Sequence, residues 1–421
     1  MDFVPFKPDE FVLLDGAMGT MLQKKGLQPG EQTELASLEH PGWLHEIHGE
    51  YVAAGTQILL ADTFGANREK LAVFGRKPEE VIPPAISIAK EAAASTGTLV
   101  ALDVGPLPRL LEPAGDLTFD EAVDIFREMM LLGEKAGADL IMLETMANLQ
   151  EVRAGLVAAR ETNLPVCCTM TFEGCGRTYM GCSLAALGLT AQGLGAFAVG
   201  VNCSLGPREL PPLIEELSRW TSLPLIAKPN AGLPTGDGKH YDITAEEFAD
   251  YQKELARMGV RFLGGCCGTD PGCIALLKEK LASLTYAPEA REVPAALCTE
   301  GRTILLEDAV LTPEDGLSDA LLSGDEDDIM DSAMDLLDED ANVITLAVPE
   351  DTSPEEEEKA LLAGVHALHG NVDAPVCIVT RRPAAAEKAL RECCGRVLLC
   401  APGEEGEQTA RAWGALWKPL T

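Results

Sequence analysis

Eight short runs of unbroken apolar character punctuate the first 284 residues: 11–15 (FVLLD), 57–61 (QILLA), 98–103 (TLVALD), 140–144 (LIMLE), 165–172 (PVCCTMTF), 198–203 (AVGVNC), 224–230 (PLIAKPN) and 261–266 (RFLGGC). Continuous apolarity, rather than alternation, fits strands buried on both faces of a parallel sheet. Segments with helical patterning lie between them, such as 119–137 and 244–259. Eight βα units in a stretch of this length predict a (β/α)8 TIM barrel, with a doubly wound open sheet as the alternative. In a barrel the C-terminal strand ends share one rim. Several runs finish in polar or ligand-type residues: Asp15, Asp62, Thr63, Asp103, Glu144, Asn202, Cys203, Asn230, Cys266 and Cys267.

After Leu284 the pattern lapses into a mixed, proline-bearing stretch. Four more apolar runs follow, at 303–308, 342–348, 375–380 and 396–402, each followed by helix-like sequence. We therefore expect a barrel over 1–286, a linker over 287–300, and a smaller α/β domain over 301–421 resembling half of a second barrel. A half barrel has open strand edges and an uncovered apolar face. It must pack on the first barrel, on a second copy, or on another protein.

Charge narrows the partners. The formal net charge is -34, and residues 301–421 hold 26 acidic against 9 basic side chains. Such a surface repels nucleic acid and anionic lipid. No apolar run reaches the ~20 residues of a membrane span. The opening residues have neither a basic nor an apolar signal region. With 13 cysteines, a reducing cytoplasm is the expected setting. Most of these thiols, including Cys167, Cys168, Cys377 and Cys400, are expected to be small core residues.

The stretch 264–271 (GGCCGTDP) is different. Adjacent cysteines rarely bond to each other, and paired thiols suit a soft metal. Neighbouring side chains of a strand point to opposite faces. Cys266 and Cys267 can therefore share a cation only if the chain turns, which Gly264, Gly265 and Gly268 permit. Cys203, ending the sixth run, offers a third sulfur. Three cysteines with a fourth position free are a catalytic zinc pattern, although buried core cysteines or a structural site give the same spacing. A substrate thiol entering the open position would lose its proton and attack an activated methyl group. Asp15 and Glu144 suit a substrate ammonium group. The turn 15–20 (DGAMGT) brings backbone N–H groups close to a carboxylate, or Asp15 simply caps a helix.

The segments LLDGAMGTML, ADTFGAN, LETM, GVNCSLGP, KPNAGLP and GGCCGTDP, in this order, resemble the homocysteine S-methyltransferase family over roughly residues 9–284. The resemblance implies a zinc (β/α)8 barrel that methylates homocysteine. Cys203, Cys266 and Cys267 would be the zinc ligands, Asp15, Gly16 and Glu144 would surround the amino acid, and Asn202 would assist through its amide. NCSLGP and PNAGLP look most like the homocysteine domain of cobalamin-dependent methionine synthase. The tail is similar to the opening of the pterin-binding barrel that follows there, but lacks its arginine, asparagines and aspartate, so folate is not expected. No corrinoid-binding Asp-x-His-x-x-Gly segment is present in the sequence. A methylcobalamin donor would then arrive on a separate corrinoid protein.

The expected activity is methyl transfer to homocysteine, forming methionine. Alternatives are another donor (S-methylmethionine or betaine), another small thiol acceptor, or a docking and homo-oligomerisation role for the half barrel. The pairs His45/His48 and His366/His369 are expected on solvated helix faces. Cys393–Cys394, lacking a third cysteine at suitable spacing, is expected to pack.

Overall fold

The computed structural model describes residues 6–28, 30–233, 235, 241–288, 290–338 and 340–420. Each of the eight apolar runs contains a strand: β1 (Val12–Leu13), β2 (Ile58–Leu60), β3 (Leu99–Val104), β4 (Leu140–Met146), β5 (Val166–Met170), β6 (Ala198–Asn202), β7 (Leu225–Lys228) and β8 (Val260–Leu263). They pair in parallel in the order β1-β8-β7-β6-β5-β4-β3-β2. A parallel bridge between Leu14 and Ile58 closes the ring. This is a (β/α)8 barrel, with an additional small α/β unit after it.

Strand alternation sorts the side chains into two cores. Val12, Leu14, Ile58, Leu60, Ala101, Met142, Cys167, Ile226 and Phe262 fill the interior. Their neighbours Leu13, Leu59, Leu102, Leu143, Cys168 and Leu263 face the surrounding helices. Adjacent Cys167 and Cys168 thus point into different layers, both as packing residues. At the N-terminal end Phe262 meets Phe6 and Phe197 edge-on, with ring centroids 6.5 and 6.0 Å away. The barrel floor is a packed aromatic plug.

The second unit differs from the expected four runs. Residues Ala296–Cys298 (β9) and Thr303–Leu305 (β10) form an antiparallel hairpin, β9 lying within the stretch read as linker. The parallel sheet is β11 (Ile344–Leu346), β12 (Val376–Val379), β13 (Leu398–Ala401) and β14 (Leu416–Pro419), in sequential order. The last strand escaped the hydrophobic reading because its residues are half-buried or exposed and end in Lys418 and Pro419. One sheet face packs on helices through Ile344, Leu346, Ile378 and Leu399. The other, where a full barrel would have its interior, is covered by the hairpin: Leu297 and Ile304 meet Val343, Cys377 and Leu398.

This unit docks on the barrel helix Leu149–Ala159, every residue of which is buried. Arg153 donates from Nε to the Arg391 carbonyl at 2.7 Å, from Nη1 to Gly395 at 3.2 Å, and from Nη2 to Trp413 at 3.1 Å and to Leu390. Arg160 Nη2 donates to the Ala412 carbonyl at 2.6 Å, and its guanidinium lies over the Trp413 ring. Leu390, Arg391, Ala412 and Trp413 lie in the last turns of the helices Glu387–Glu392 and Gly403–Trp413. Two helix C-termini therefore aim unpaired carbonyls and the negative ends of their dipoles at barrel arginines.

Of the histidine pairs, His45 and His366 are exposed as expected, whereas His48 is buried and His369 half-buried. His48 is fully buried, with both ring nitrogens lacking a hydrogen-bond partner. His366 pairs with Glu392 at 2.9 Å. No helix among the described residues is long and apolar enough to cross a membrane.

Candidate active site

The C-terminal rim collects the three sulfurs. Cys203 ends β6 and takes a left-handed conformation (φ 57°), as does Ser204 (φ 52°). Consecutive non-glycine residues in that region are uncommon and mark functional strain. Here Cys203 N–H donates to the Lys228 carbonyl at 3.0 Å, fixing the turn to β7. Cys266 N–H donates to the Pro229 carbonyl at 2.8 Å, and Ala231 N–H to the Cys267 carbonyl at 2.9 Å. The chain leaves strand geometry after Leu263, and Gly268 turns it with φ 81°. Asp270 then caps the helix Pro271–Leu281, accepting from the Gly272 and Cys273 N–H groups at 3.1 and 3.3 Å.

Thr269 locks this loop to the turn after β1. Its hydroxyl donates to the Cys266 carbonyl at 2.7 Å and accepts from Ala17 N–H at 3.2 Å. A Cβ at Gly16 would stand 2.5 Å from that hydroxyl, and one at Gly265 would stand 2.3 Å from it. Both glycines are required by this close approach.

The sulfur atoms of Cys203, Cys266 and Cys267 all lie within 4.8 Å of one another, and Cys203 and Cys267 are 4.0 Å apart. Tetrahedral zinc with bonds of about 2.3 Å separates its sulfur ligands by about 3.8 Å. The trio therefore fits such an ion with little movement. Without a cation, hydrogen bonds from Cys266 and Cys267 hold the Cys203 thiol down at about 3. The same sharing drives Cys266 well above its usual value and Cys267 up to about 11. One thiolate shared by two thiols is the proton-bound counterpart of a metal-bound trio. Asn230 also donates to Cys203, and its Oδ1 is buried without a partner. Tyr241 packs against Gly268, and burial together with the neighbouring sulfurs pushes its phenol up to about 12.

Beside the sulfurs sits a buried charge cluster. Lys228, at the end of β7 and 2 % exposed, pairs with Glu144 at 2.5 Å. Burial works to lower its pKa, but Glu144, Asp15 and Asp103 outweigh this and hold the ammonium charged. Asp15 accepts from Leu60 N–H at 2.8 Å through Oδ2, while its Oδ1 has no partner. Burial raises the Asp15 carboxyl to about 7, against the opposing pull of Lys228. Asp103 is raised well above its usual range, again chiefly by burial, with Glu144 adding to it. One lysine among three carboxylates leaves the cluster short of positive charge, which an ammonium group would supply.

Asp15, Gly16, Glu144 and the three cysteines thus come together at one mouth. Asn202 is there too, but its amide is engaged internally. Its Oδ1 accepts from Thr145 N–H and Thr169 Oγ1, both at 2.9 Å, and its Nδ2 donates to Thr145 Oγ1 at 2.7 Å. It holds Thr145 in a left-handed conformation (φ 61°) next to Glu144.

The sequence profile described as homocysteine S-methyltransferase matches residues 12–281. The chain belongs to that family. The methionine synthase of Mycobacterium tuberculosis (strain ATCC 25618 / H37Rv) is 26 % identical over 366 residues, covering 79 % of this chain and 31 % of that protein. The chain thus spans about a third of that curated relative, and the likeness runs beyond the barrel. Among solved structures, the oxidised form of the homocysteine methyltransferase MmuM from Escherichia coli is 25 % identical with a TM-score of 0.56, over 64 % of this chain and 96 % of that one. Its metallated form matches at 24 % and 0.56, over 65 % and 97 %.

Two site groups escaped the sequence reading. Lys228 sits inside the run 224–230, where a charged residue at a strand end resembles a solvated rim position. Glu34, 2 % exposed, accepts from Gly65 N–H and from Gln32. The glycine of ADTFGAN was its only trace, since a Cβ there would lie 2.5 Å from Glu34 Oε1.

Proposed function

We propose that this chain transfers a methyl group to the sulfur of homocysteine, forming methionine, at a zinc site made by Cys203, Cys266 and Cys267. The meeting of these three sulfurs at the open mouth carries the reading. Zinc bound there supplies positive charge that keeps a substrate sulfur deprotonated near neutral pH. The protein's own groups orient the acceptor. Asp15 and Glu144 receive its ammonium group, offsetting the excess carboxylate around Lys228. Gly16 lets the β1 turn close against Thr269 and Tyr51, which presents its backbone to the amino acid. Thr269 and Asn202 position the cysteine loop and the β4 end.

The methyl group comes from a protein-bound methylcorrinoid. The partial likeness to a methionine synthase, extending past the barrel, favours this donor; the same zinc site with another donor, S-methylmethionine or betaine, is the second reading. Other small thiols remain acceptors to test. A reducing setting such as the cytoplasm suits the three thiolates.

The test is a donor panel on zinc-loaded protein, with metal content measured alongside. Methylcobalamin should support methionine formation, and C203S, C266S and C267S should each lose one equivalent of metal together with turnover. Turnover with S-methylmethionine alone would replace the donor, and full turnover by the C203S/C266S/C267S variant would remove the zinc assignment.

A docking or oligomerisation role for 301–421 draws less support. The sheet face that would pair with a partner is covered by the β9–β10 hairpin.

A further inference from the structure

A second set of ligand-type side chains meets where the added unit joins the barrel. Glu300 follows β9, His369 closes the helix Pro354–Leu368, and Cys394 follows the helix Glu387–Glu392. One ligand atom from each lies within 4.8 Å of the other two. All three line a cavity of about 270 Å³ that also touches Met180 of the barrel. Glu300 Oε1 accepts from Leu149 N–H at 3.0 Å, at the start of the docking helix, which orients the carboxylate. The Cys394 thiol donates to the Glu300 carboxylate, so these two ligand groups already face each other. Cys394 is partly buried, and its neighbour Cys393 packs in the core of the second unit.

We propose that Glu300, His369 and Cys394 form a second zinc site, which fastens the hairpin and two helices of the added unit to one point beside the barrel. Thiolate, imidazole and carboxylate are the three donor types zinc accepts, and the sulfur disfavours magnesium or calcium. Tetrahedral bonds of about 2.0–2.3 Å put ligand atoms about 3.3–3.6 Å apart, so closing from 4.8 Å needs side-chain movement only. The cavity leaves the fourth position to water. One carboxylate and one thiolate balance the cation's charge. The three residues belong to segments 69 and 25 positions apart, which explains why their spacing gave no motif.

The experiment is zinc titration of the demetallated full chain, with bound metal counted after gel filtration. Wild type should bind two equivalents. The C203S/C266S/C267S variant should keep one, and its thermal midpoint should rise on adding zinc. C394S and H369Q should each bind one equivalent, and C393S two. A wild-type count that C394S leaves unchanged, no zinc in the triple-cysteine variant, or loss of an equivalent in C393S but not in C394S would overturn the proposal, whereas one equivalent in wild type that C394S abolishes would count against the three-cysteine site instead. The triple variant reads the junction site with its ligands intact, so misfolding of the junction variants cannot mask the answer. Loss of methyl transfer would leave the junction count unaltered, keeping the two readings separate.

Discussion

Replacing Arg153 with alanine should release the added unit from the barrel while leaving the barrel folded. The guanidinium is 2 % exposed and is held by carbonyl oxygens of Leu390, Arg391, Gly395 and Trp413. Charge-assisted hydrogen bonds contribute about 1.5–3 kcal/mol each, but they share one desolvation cost and do not add. Removing one side of a buried charged contact costs about 3–5 kcal/mol. The lower end applies here, because water entering the vacated space can meet some carbonyls, so we take about 3 kcal/mol. At roughly 4 °C per kcal/mol for a unit of this size, the midpoint of its transition should fall by roughly 12 °C. Trp413 and Trp417 lie in the added unit and report that transition by fluorescence. Amide exchange should accelerate over 387–396 and 410–417, with strands β1–β8 unchanged. R153K should recover part of the loss, since an ammonium reaches fewer of the carbonyls. A midpoint within about 2 °C of wild type, with unaltered exchange, would refute the view that this arginine is the principal clasp.

Asp15 sets a pH dependence. Its carboxyl stands at about 7 against 3.8 when unperturbed, so the folded state holds a proton that the unfolded chain releases. Stability from this group is therefore greatest below about pH 4 and is lost as pH rises towards 7, on the order of 4 kcal/mol in all; D15N should flatten the stability profile across that window in chemical denaturation while weakening homocysteine binding. G16A drives a methyl group towards Thr269 and Tyr51; it should cost about 1–3 kcal/mol and raise KM, as read by unfolding and steady-state kinetics. N202A removes the hold on Thr145 and should lower stability by about 1–3 kcal/mol and misplace Glu144, raising KM while metal content stays unaltered. K228M leaves Glu144 without its partner and should cost more stability than the double variant K228M/E144Q, read by chemical denaturation in a double-mutant comparison.

The barrel was legible because each strand is buried on both faces, and an unbroken apolar run such as LIMLE shows that in one glance. The sulfur trio was legible because each cysteine follows a strand and all strand ends share a rim. Lys228 was hidden for the opposite reason. Its burial depends on Asp15, Asp103 and Glu144 arriving from three other strands, and no local pattern encodes that meeting. Arg153 likewise looked like an ordinary helix residue until two remote helix ends were seen pointing at it. β14 was missed because an edge strand with half-exposed side chains lacks the period that announces a buried one. β9 fell in proline-bearing sequence whose apolar content is short, while β10 lay in the run 303–308, and only the open sheet face above the hairpin shows why Leu297 and Ile304 pair there.

The aromatic floor formed by Phe6, Phe197 and Phe262 has a kinetic corollary. With the lower end stoppered, traffic in and out of the reaction chamber shares a single doorway. Under the proposed function, the methyl carrier would sit across that doorway, behind an amino acid already seated. The expected kinetics are ordered, acceptor before donor and donor departing before product.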